Sequence, residues 1–431
     1  MKQFYIILAM LFVAVPMQAR DTVVHKFTFE DCLDYAFDNS YNRQILKLNE
    51  DAKKNLYEQS KYERLPNLNA SLSEGFSNSD AKSFSWSGSY DLSTSVTLYQ
   101  GGSINKTIEQ SRLIKEQTVH QTNQSDNQLI IQILQAFLTV LGNEELLKYQ
   151  EILVEASGQQ LKQGQQQYEV GTILESDYLL LEAQYANDRN NVLDTKINRD
   201  NSLLTLKGLL SMSPLEDLRI VYPDTSSLHQ MSLFPTLGFV LEKVAETLPD
   251  LKVAQYNIDI AKKNVDISKS SYMPTLSLSA SVGTGHVNSY SNFGDQFSKQ
   301  FNEQVGLKLN VPIFNNSRTK SRVTQSRIVL RQAELEQKQT ELNVLQTITQ
   351  EYQDVVSSYN KYEVTNIRQA AYHKTFLAYN VQFNAGTITA VDLLQQQNNY
   401  ISALNDFIQS KYGFMLKRKV LDVYMGFPVK M

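Results

Sequence analysis

The chain has 431 residues, 42% hydrophobic and 20% charged, which suits two or three domains or one elongated folded body. Its 41 basic and 45 acidic residues give a net charge of −4 without a basic cluster, which argues against nucleic acid as a partner. One cysteine, five scattered histidines and the absence of P-loop, GxGxxG and GxSxG motifs leave no pattern for a metal, a cofactor or catalysis. We therefore expect no metal, no cofactor and no enzyme activity.

The N-terminus has the pattern of a secretory signal peptide. Lys2 precedes an apolar stretch over residues 4–15, and the small residue Ala19 stands at a plausible cleavage point. The alternative, a membrane anchor, needs about 20 apolar residues, and no later stretch approaches that length. We predict a signal peptide over residues 1–19 and export of the rest, with Cys32 as a packed thiol on the first helix.

An internal repeat divides the exported chain into two halves. The segment QYEVGTILESDYLLLEAQY resembles QFNAGTITAVDLLQQQNNY, so that Gly171 corresponds to Gly386, 215 residues later. Nearer the start of each half, DAKKN at Asp51 resembles IAKKN at Ile260 with a shift of 209 residues, and Pro66 corresponds to Pro274 with a shift of 208. We predict three regions after the signal peptide: a first repeat at 20–214, a linker or equatorial segment at 215–236, and a second repeat at 237–431.

Each half contains two segments in which apolar and small polar residues alternate. The pattern indicates strands with one apolar face, and we place β-hairpins at 67–100 and 275–313. A soluble sheet would also fit the pattern, but the long segment ending at Leu98 has the length and the aromatic residues of a transmembrane strand. Four strands cannot close a barrel, whereas a dimer would supply eight and a trimer 12, enough for a pore. The polar segments 75–84 and 283–299 are expected to be the outward-facing loops.

Long helical hairpins are predicted between and after the strands. Apolar residues recur there at steps of three and four without proline, which indicates helical hairpins at 103–214 and 318–425. Each hairpin should reverse at its glycine, because glycine adopts the left-handed conformation that ends helices. Thr172 with Glu175 predicts a capping box for the returning helix, and Thr387 is expected to cap the second returning helix without a partner.

The duplicated order of these motifs resembles the TolC family of outer-membrane efflux channels. The motifs are a helix, a strand such as PTLSLSA, a strand ending in VPIFN, a long helix, a YxxG or FxxG turn and a helix with DLL. The resemblance implies a mainly α-helical chain with a small β part. It implies a homotrimer whose 12 strands form one barrel in outer-membrane lipid and whose helices form a tunnel in the periplasm. It also implies that the linker and the chain ends form a belt around the middle of the helices.

The resemblance also implies partners and functional residues at the tips of the hairpins. A periplasmic adaptor protein and an inner-membrane transporter would deliver substrate to the channel. Asp392 of the DLL motif would line the periplasmic constriction together with Asp177, whereas the best-known members have a second acid where this chain has Gln395. The expected turns and adaptor contacts are Gly171, Thr172, Gly386 and Thr387. A simpler interpretation is that each aspartate only favours the helix dipole. A periplasmic coiled-coil scaffold without a pore is the competing function.

Overall fold

The computed structural model describes residues 24–79, 83–223, 234–287 and 293–431. The predicted signal peptide lies outside the described residues, as do residues 224–233 of the predicted linker and residues 80–82 and 288–292 of the two predicted loops.

The described elements form two similar units with one short strand between them. The first unit comprises β1 (Val24–Phe27), α1 (Phe29–Asn39), α2 (Tyr41–Tyr62), β2 (Asn67–Ser79), β3 (Ser83–Gln100), α3 (Ser103–Glu169) and α4 (Glu175–Leu209). The strand β4 (Asp217–Ile220) follows. The second unit comprises α5 (Leu237–Thr247), α6 (Pro249–Ser270), β5 (Thr275–Val287), α7 (Phe293–Lys299), β6 (Asn302–Asn310), α8 (Arg318–Asn384) and α9 (Ala390–Tyr424).

The number of residues that separates equivalent helices of the two units differs between the long and the short helices. The helices α3 and α8 have 67 residues each and begin 215 residues apart, as do the 35-residue helices α4 and α9. The helices α2 and α6 have 22 residues each but begin 208 residues apart. The shift of 208 between Pro66 and Pro274 therefore agrees with the structure, whereas the shift of 209 read from AKKN is wrong by one. The AKKN similarity compares mostly exposed residues. Most of the buried positions of α6 coincide with half-buried or buried positions of α2 when the shift is 208 residues. Ala254 and Ile258, for example, then correspond to Leu46 and Glu50.

Four strands form one antiparallel sheet in the order β2-β3-β5-β6. Its apolar side chains share one face, where Leu92 lies opposite Ala70 and Val282, while neighbouring Ser93 lies opposite Asn69 and Ser281 on the other face. The outer edges of β2 and β6 have no strand partner within the described chain. The sheet therefore presents two open edges and one mostly apolar face, which also carries Glu74 and His286 towards the hairpin end.

The hairpin loops are shorter than the sequence suggested. Strands β2 and β3 extend to Ser79 and from Ser83, through most of the loop predicted at 75–84. In the second hairpin, β5 reaches Val287 and the seven-residue helix α7 lies within the loop predicted at 283–299. The Ser, Asn and Gly residues that suggested loops are compatible with strands here because residues 75–79 pair with 83–87 and residues 283–287 pair with 87–91 in continuous antiparallel ladders.

A second, two-stranded sheet involves the predicted linker. Strand β4 pairs in parallel with β1, with Val24 opposite Asp217 and Phe27 opposite Ile220. This pairing holds the beginning of the described chain next to the segment that follows the first helical hairpin.

The hydrophobic core lies where the two helical hairpins meet α1 and α5. Its fully buried side chains include Phe137 and Leu141 on α3, Leu206 on α4, Val240 on α5 and Phe414 on α9. Among the described helices, α3 alone is long and apolar enough to cross a membrane, contrary to the expectation that no such stretch follows residue 15. The apolarity of α3 reflects the core, because its residues around Phe137 are covered by the other helices.

Cys32 is a packed thiol on α1, as predicted. Burial, with a smaller contribution from Asp31 and Glu30, raises the pKa of Cys32 to about 12. Since the thiolate is the reactive form, we expect native protein to resist maleimide at neutral pH and denatured protein to react fully. Mass spectrometry of the labelled protein measures this. An Asp194→Cys variant, with an exposed thiol on α4, is the positive control, and native Cys32 reacting as fast as that thiol would contradict the packing.

Candidate functional site

Both long helices end in the same glycine turn. Gly171 and Gly386 have φ values of +77° and +73°, a region that residues with a side chain rarely adopt. At the first turn the N–H of Thr172 donates to the carbonyl of Gln167 over 2.8 Å, and the second turn repeats this bond between Thr387 and Gln382 over 3.0 Å. This is the Schellman arrangement, which satisfies carbonyls at the end of a helix. A Cβ on either glycine would have open space, so backbone conformation alone requires glycine.

Thr172 and Thr387 do not cap the helices that follow them, and both capping predictions are wrong. Each hydroxyl instead donates back to the preceding helix over 2.9 Å, to the carbonyl of Gln167 or Gln382. The N-cap positions fall two residues later than predicted, at Leu174 and Thr389. The reversing chain needs those extra residues before a new helix can begin.

The true capping box of the second tip is formed by Thr389 and Asp392. The Thr389 hydroxyl accepts the backbone N–H of Asp392 over 3.2 Å, while the Asp392 carboxylate accepts the Thr389 hydroxyl over 2.6 Å and the Thr389 N–H over 3.2 Å. These two donors, the hydroxyl first, lower the pKa of Asp392 below its ordinary value. Asp392 therefore carries its charge at neutral pH. Its stabilisation of the helix start is present above the ordinary carboxyl pKa and is lost as the pH falls through the lowered value.

The first tip lacks an equivalent cap. Leu174 stands at the N-cap position with no side-chain hydrogen bond and is 71% exposed. Asp177 is half-buried in the first turn of α4 and accompanies Glu175 there. The TxxD pattern at Thr389 was visible in the sequence, but the threonine beside the glycine offered a competing signal.

The difference between the tips predicts opposite effects of two substitutions. Thr389→Ala removes the cap of α9 and should cost about 1 kcal/mol, whereas Leu174→Thr should stabilise α4 by forming a box with Asp177. Amide hydrogen exchange over residues 174–180 and 389–395 would measure both. Thr387→Ala, which removes only a bond to the preceding helix, is the control. Equal exchange in all variants would contradict the caps.

The predicted tip residues occupy corresponding ends of the two returning helices. Asp392 and Gln395 are exposed on the first turns of α9. No hydrogen bond or ion pair between described side chains joins Asp177 to Asp392. Val170 and Leu174 are largely exposed beside Gly171.

Sequence reasoning missed a group of buried and half-buried polar residues between the two hairpins. Asp188 on α4 accepts hydrogen bonds from Gln184 of the same helix and from Gln397 of α9. Further from the tips, Glu145 on α3 accepts from Lys411 and Tyr412 of α9 over 2.8 and 2.6 Å. Glutamine and aspartate at inward positions of the helical repeat were the signal that could have located this group.

Aromatic residues mark both ends of the long strand β3. At the hairpin end, Trp86 stacks on Phe76 and donates its Nε1–H to Glu74 over 2.8 Å, and the Tyr90 hydroxyl also donates to Glu74. Tyr99 stands at the other end, next to the helices. Such aromatic bands at two levels are typical of strands that cross a membrane. Within the described ranges, no group of three His, Cys, Asp or Glu side chains is arranged to hold a metal.

Two long helical hairpins joined to a four-stranded sheet with open edges define a class of outer-membrane proteins with helical extensions. The chain belongs to the outer membrane efflux protein family, whose model matches residues 38–211 and 240–426, one stretch in each half. This confirms the predicted family and the predicted location in the outer membrane with extension into the periplasm.

Known relatives and structures agree with this assignment. The chain is 24% identical over 322 residues to the outer membrane protein TolC of Escherichia coli K12, covering 71% of this chain and 63% of the relative. It is 21% identical to the alkaline protease secretion protein AprF of Pseudomonas aeruginosa, covering 69% of this chain and 61% of the relative. The alignments thus span slightly less than two thirds of these relatives.

Solved structures show the same fold over nearly the whole chain. A crystal structure of CusC superposes with a TM-score of 0.82 at 16% identity and covers 94% of each chain. The open state of the Neisseria gonorrhoeae MtrE outer membrane channel superposes with a TM-score of 0.76 at 16% identity, covering 93% of this chain and 89% of that one. The predicted fold class, mainly helical with a small β part, is confirmed.

Proposed function

We propose that this protein is the outer-membrane channel of a tripartite efflux or secretion system. Three copies form a 12-stranded barrel continued by a helical tunnel, through which substrates from an inner-membrane transporter and a periplasmic adaptor pass to the exterior. The observation that carries the proposal is the sheet with two open edges. Unpaired edges do not occur in the hydrocarbon of a membrane, so neighbouring copies must pair β6 with β2.

The internal repeat indicates how the copies meet. Within one chain, the long helix α3 of the first unit packs against the short helix α6 of the second. The equivalent pair, α8 with α2, shares no comparable interface in the described chain. Both helices expose leucines, Leu48 at 67% and Leu335 at 52%. A second copy that supplies the missing pair would cover these side chains and close the ring.

Individual contacts carry over through the repeat. In α3 and α6, His120 stacks on Tyr256 with ring centroids 5.4 Å apart, and the equivalent residues are Leu335 and Leu48. Next to them, the side-chain amide of Gln117 donates to Asn257 over 2.5 Å. The equivalent residues are Gln332 and Asn49, again two amides. The interface between copies should therefore place Leu335 on Leu48 and Gln332 beside Asn49 of the next copy.

Cysteine cross-linking tests this interface. Asn49→Cys combined with Gln332→Cys should give covalent trimers on oxidation, because the equivalent side chains within one chain touch. Asn49→Cys with Glu334→Cys is the matched control, since position 334 lies about 200° further around the same helix. Buried Cys32 should not interfere. Equal cross-linking of both pairs, or species no larger than dimers, would contradict the proposed assembly.

The tip residues are proposed to form the periplasmic constriction. Asp392, Gln395 and Asp177 line it, and Gly171, Thr172, Gly386 and Thr387 lie in the turns that contact the adaptor. The capping box supports a fixed charge at the constriction because it keeps Asp392 ionised. Three such carboxylates near one axis would repel each other and attract cations.

Single-channel recordings of purified trimers in bilayers test both the pore and its selectivity. We expect ion conductance, and we expect Asp392→Asn to weaken cation preference and divalent-cation block more than Asp177→Asn does. If only Asp177→Asn alters these properties, the assignment of Asp392 to the inner ring is wrong. A protein that extracts without detergent and never conducts would instead favour the periplasmic scaffold, which the family match already disfavours.

A further inference from the structure

One carboxylate is enclosed between the two helical hairpins. Asp188 is 3% exposed and is the only Asp, Glu, Lys or Arg side chain in the described part of the chain that is fully buried. It lies 13 residues after the first residue of α4, which is about 20 Å along the helix from the tip. A buried carboxylate normally has a cationic partner, and Asp188 has none.

Two amide side chains hold this carboxylate, one from each hairpin. Gln184 Nε2, one turn earlier on α4, donates to Oδ1 over 2.8 Å, and Gln397 Nε2 on α9 donates to Oδ2 over 3.0 Å. Gln397 is itself fully buried, and its Oε1 has no hydrogen-bond partner among the described residues. Rotation of this amide would turn Oε1 towards Asp188. A protonated Asp188 carboxyl group could then donate its O–H to Oε1.

The surrounding seam contains both polar and apolar buried residues. On α3, the buried residues nearer the tip include Ser157 and Gln160, and Gln160 Nε2 donates across to Asn380 of α8 over 3.1 Å. Further from the tip the same helix buries Phe137 and Leu141. Nearer the tip than Asp188, the seam also buries Leu181 and Leu393, so its separation exposes polar groups that water can satisfy together with some apolar surface.

Nothing charged on the neighbouring elements compensates Asp188. The titratable groups nearest to it along these elements point outwards or pair elsewhere; they are Glu155 and Lys162 on α3, Glu182 and Arg189 on α4, and Asp392 and Asp406 on α9. On α8, His373 lies against the Tyr400 ring, with centroids 5.0 Å apart. Burial accordingly raises the pKa of Asp188, and weaker opposing effects come from Ser157, Gln184 and Gln397.

We propose that Asp188 is a proton-sensitive latch that holds α9 against α4 when protonated and releases it when ionised, and so sets how readily the tunnel tip opens. The proposal rests on the channel function above, because only a tip that opens needs a latch. The packed state keeps the carboxyl buried, whereas the separated state exposes it to water.

The direction of the pH effect follows from the two environments. In the separated state Asp188 regains an ordinary pKa, so the packed state binds the proton more tightly. The packed state is most favoured below the ordinary carboxyl pKa and loses stability as the pH rises towards the raised value. Each unit of difference between the two pKa values changes the ratio of separated to packed tips by about tenfold. Higher pH therefore favours separation.

Distance measurements between spin labels test the latch without depending on conductance. The labels are placed at Glu182→Cys on α4 and Asn398→Cys on α9, both exposed, in a Cys32→Ser background. Labelled chains are mixed with excess unlabelled chains in detergent. In the labelled protein that keeps Asp188, the fraction of label pairs at the longer distance should rise between about pH 4 and about pH 8. Asp188→Asn should keep the fraction low and constant, and Gln397→Ala should raise it at every pH.

Two controls separate the latch from other causes. Asp194→Asn, an exposed acid on the same helix, and His373→Gln should both retain the native response. A pH response that persists in Asp188→Asn would overturn the proposal. The lack of any pH response in the labelled protein that keeps Asp188 would overturn it as well. Conductance recorded in parallel distinguishes the two hypotheses: a distance change without conductance refutes the channel and not the latch, and conductance with a response unaltered by Asp188→Asn refutes the latch.

Discussion

Arginine at Leu92 is expected to destabilise the folded protein by about 2 to 4 kcal/mol, the usual penalty for a cation on the lipid-facing side of a barrel at mid-membrane. Leu92 lies within β3 on the apolar face, opposite Ala70 and Val282. Hydrocarbon cannot solvate a guanidinium group, so a large cost is expected if this face meets lipid. Unfolding of the protein in lipid vesicles by denaturant, followed by tryptophan fluorescence, would measure it.

A matched substitution one residue away provides the control. Ser93→Arg places the same side chain on the opposite face, where Asn69 and Ser281 are its neighbours, and should cost much less because that face would line a water-filled lumen. A second pair repeats the comparison on β6, with Leu307→Arg opposite Leu278 and Gly306→Arg opposite Ser279. Equal losses on both faces would contradict the lipid-facing assignment.

Alanine at Phe137 should lower the free energy of unfolding by about 3 to 5 kcal/mol. The ring of Phe137 is fully buried and meets Phe29 of α1 edge to face, with centroids 5.6 Å apart. Alanine would leave a cavity where α1 joins the hairpins, and the surrounding helices cannot collapse into it without breaking their own contacts. Thermal unfolding followed by circular dichroism in detergent would measure the loss.

Two further variants define this result. Phe137→Leu refills most of the volume and should recover more than half of the loss, whereas Thr139→Ala changes an exposed side chain on the same helix and should have little effect. A loss at Phe137→Ala no larger than that at Thr139→Ala would show that α1 does not depend on this contact.

The sequence was a good guide to the helices and a poorer one to their ends. The period of apolar residues and the lack of proline located α3 and α8 to within a few residues, because both signals act along one continuous segment. The caps failed at Thr172 and Thr387, although the motif was correct in form. Which threonine caps a helix depends on how many residues the turn consumes, and that number is fixed by the geometry of the reversal.

The strands show the same division. Alternation identified the apolar face around Leu92, since side chains in a strand point to opposite faces in turn. It did not reveal that β2 would continue to Ser79, nor that the second loop would contain α7, because serine and glycine are compatible with both strand and loop. Hydrogen bonding between the paired strands decided these limits.

By itself, the sequence determined the duplication, the helical hairpins, the strands with one apolar face and the family, because local periodicity and short motifs indicate each of these. Only the tertiary structure decided that Asp188 meets Gln397, that Glu145 meets Lys411 and that β1 pairs with β4. These partners lie about 190 to 270 residues apart along the chain. A periodic pattern specifies which face of a helix or strand turns inwards. It does not specify which distant element that face meets, because many apolar faces of similar width are interchangeable until the whole chain packs.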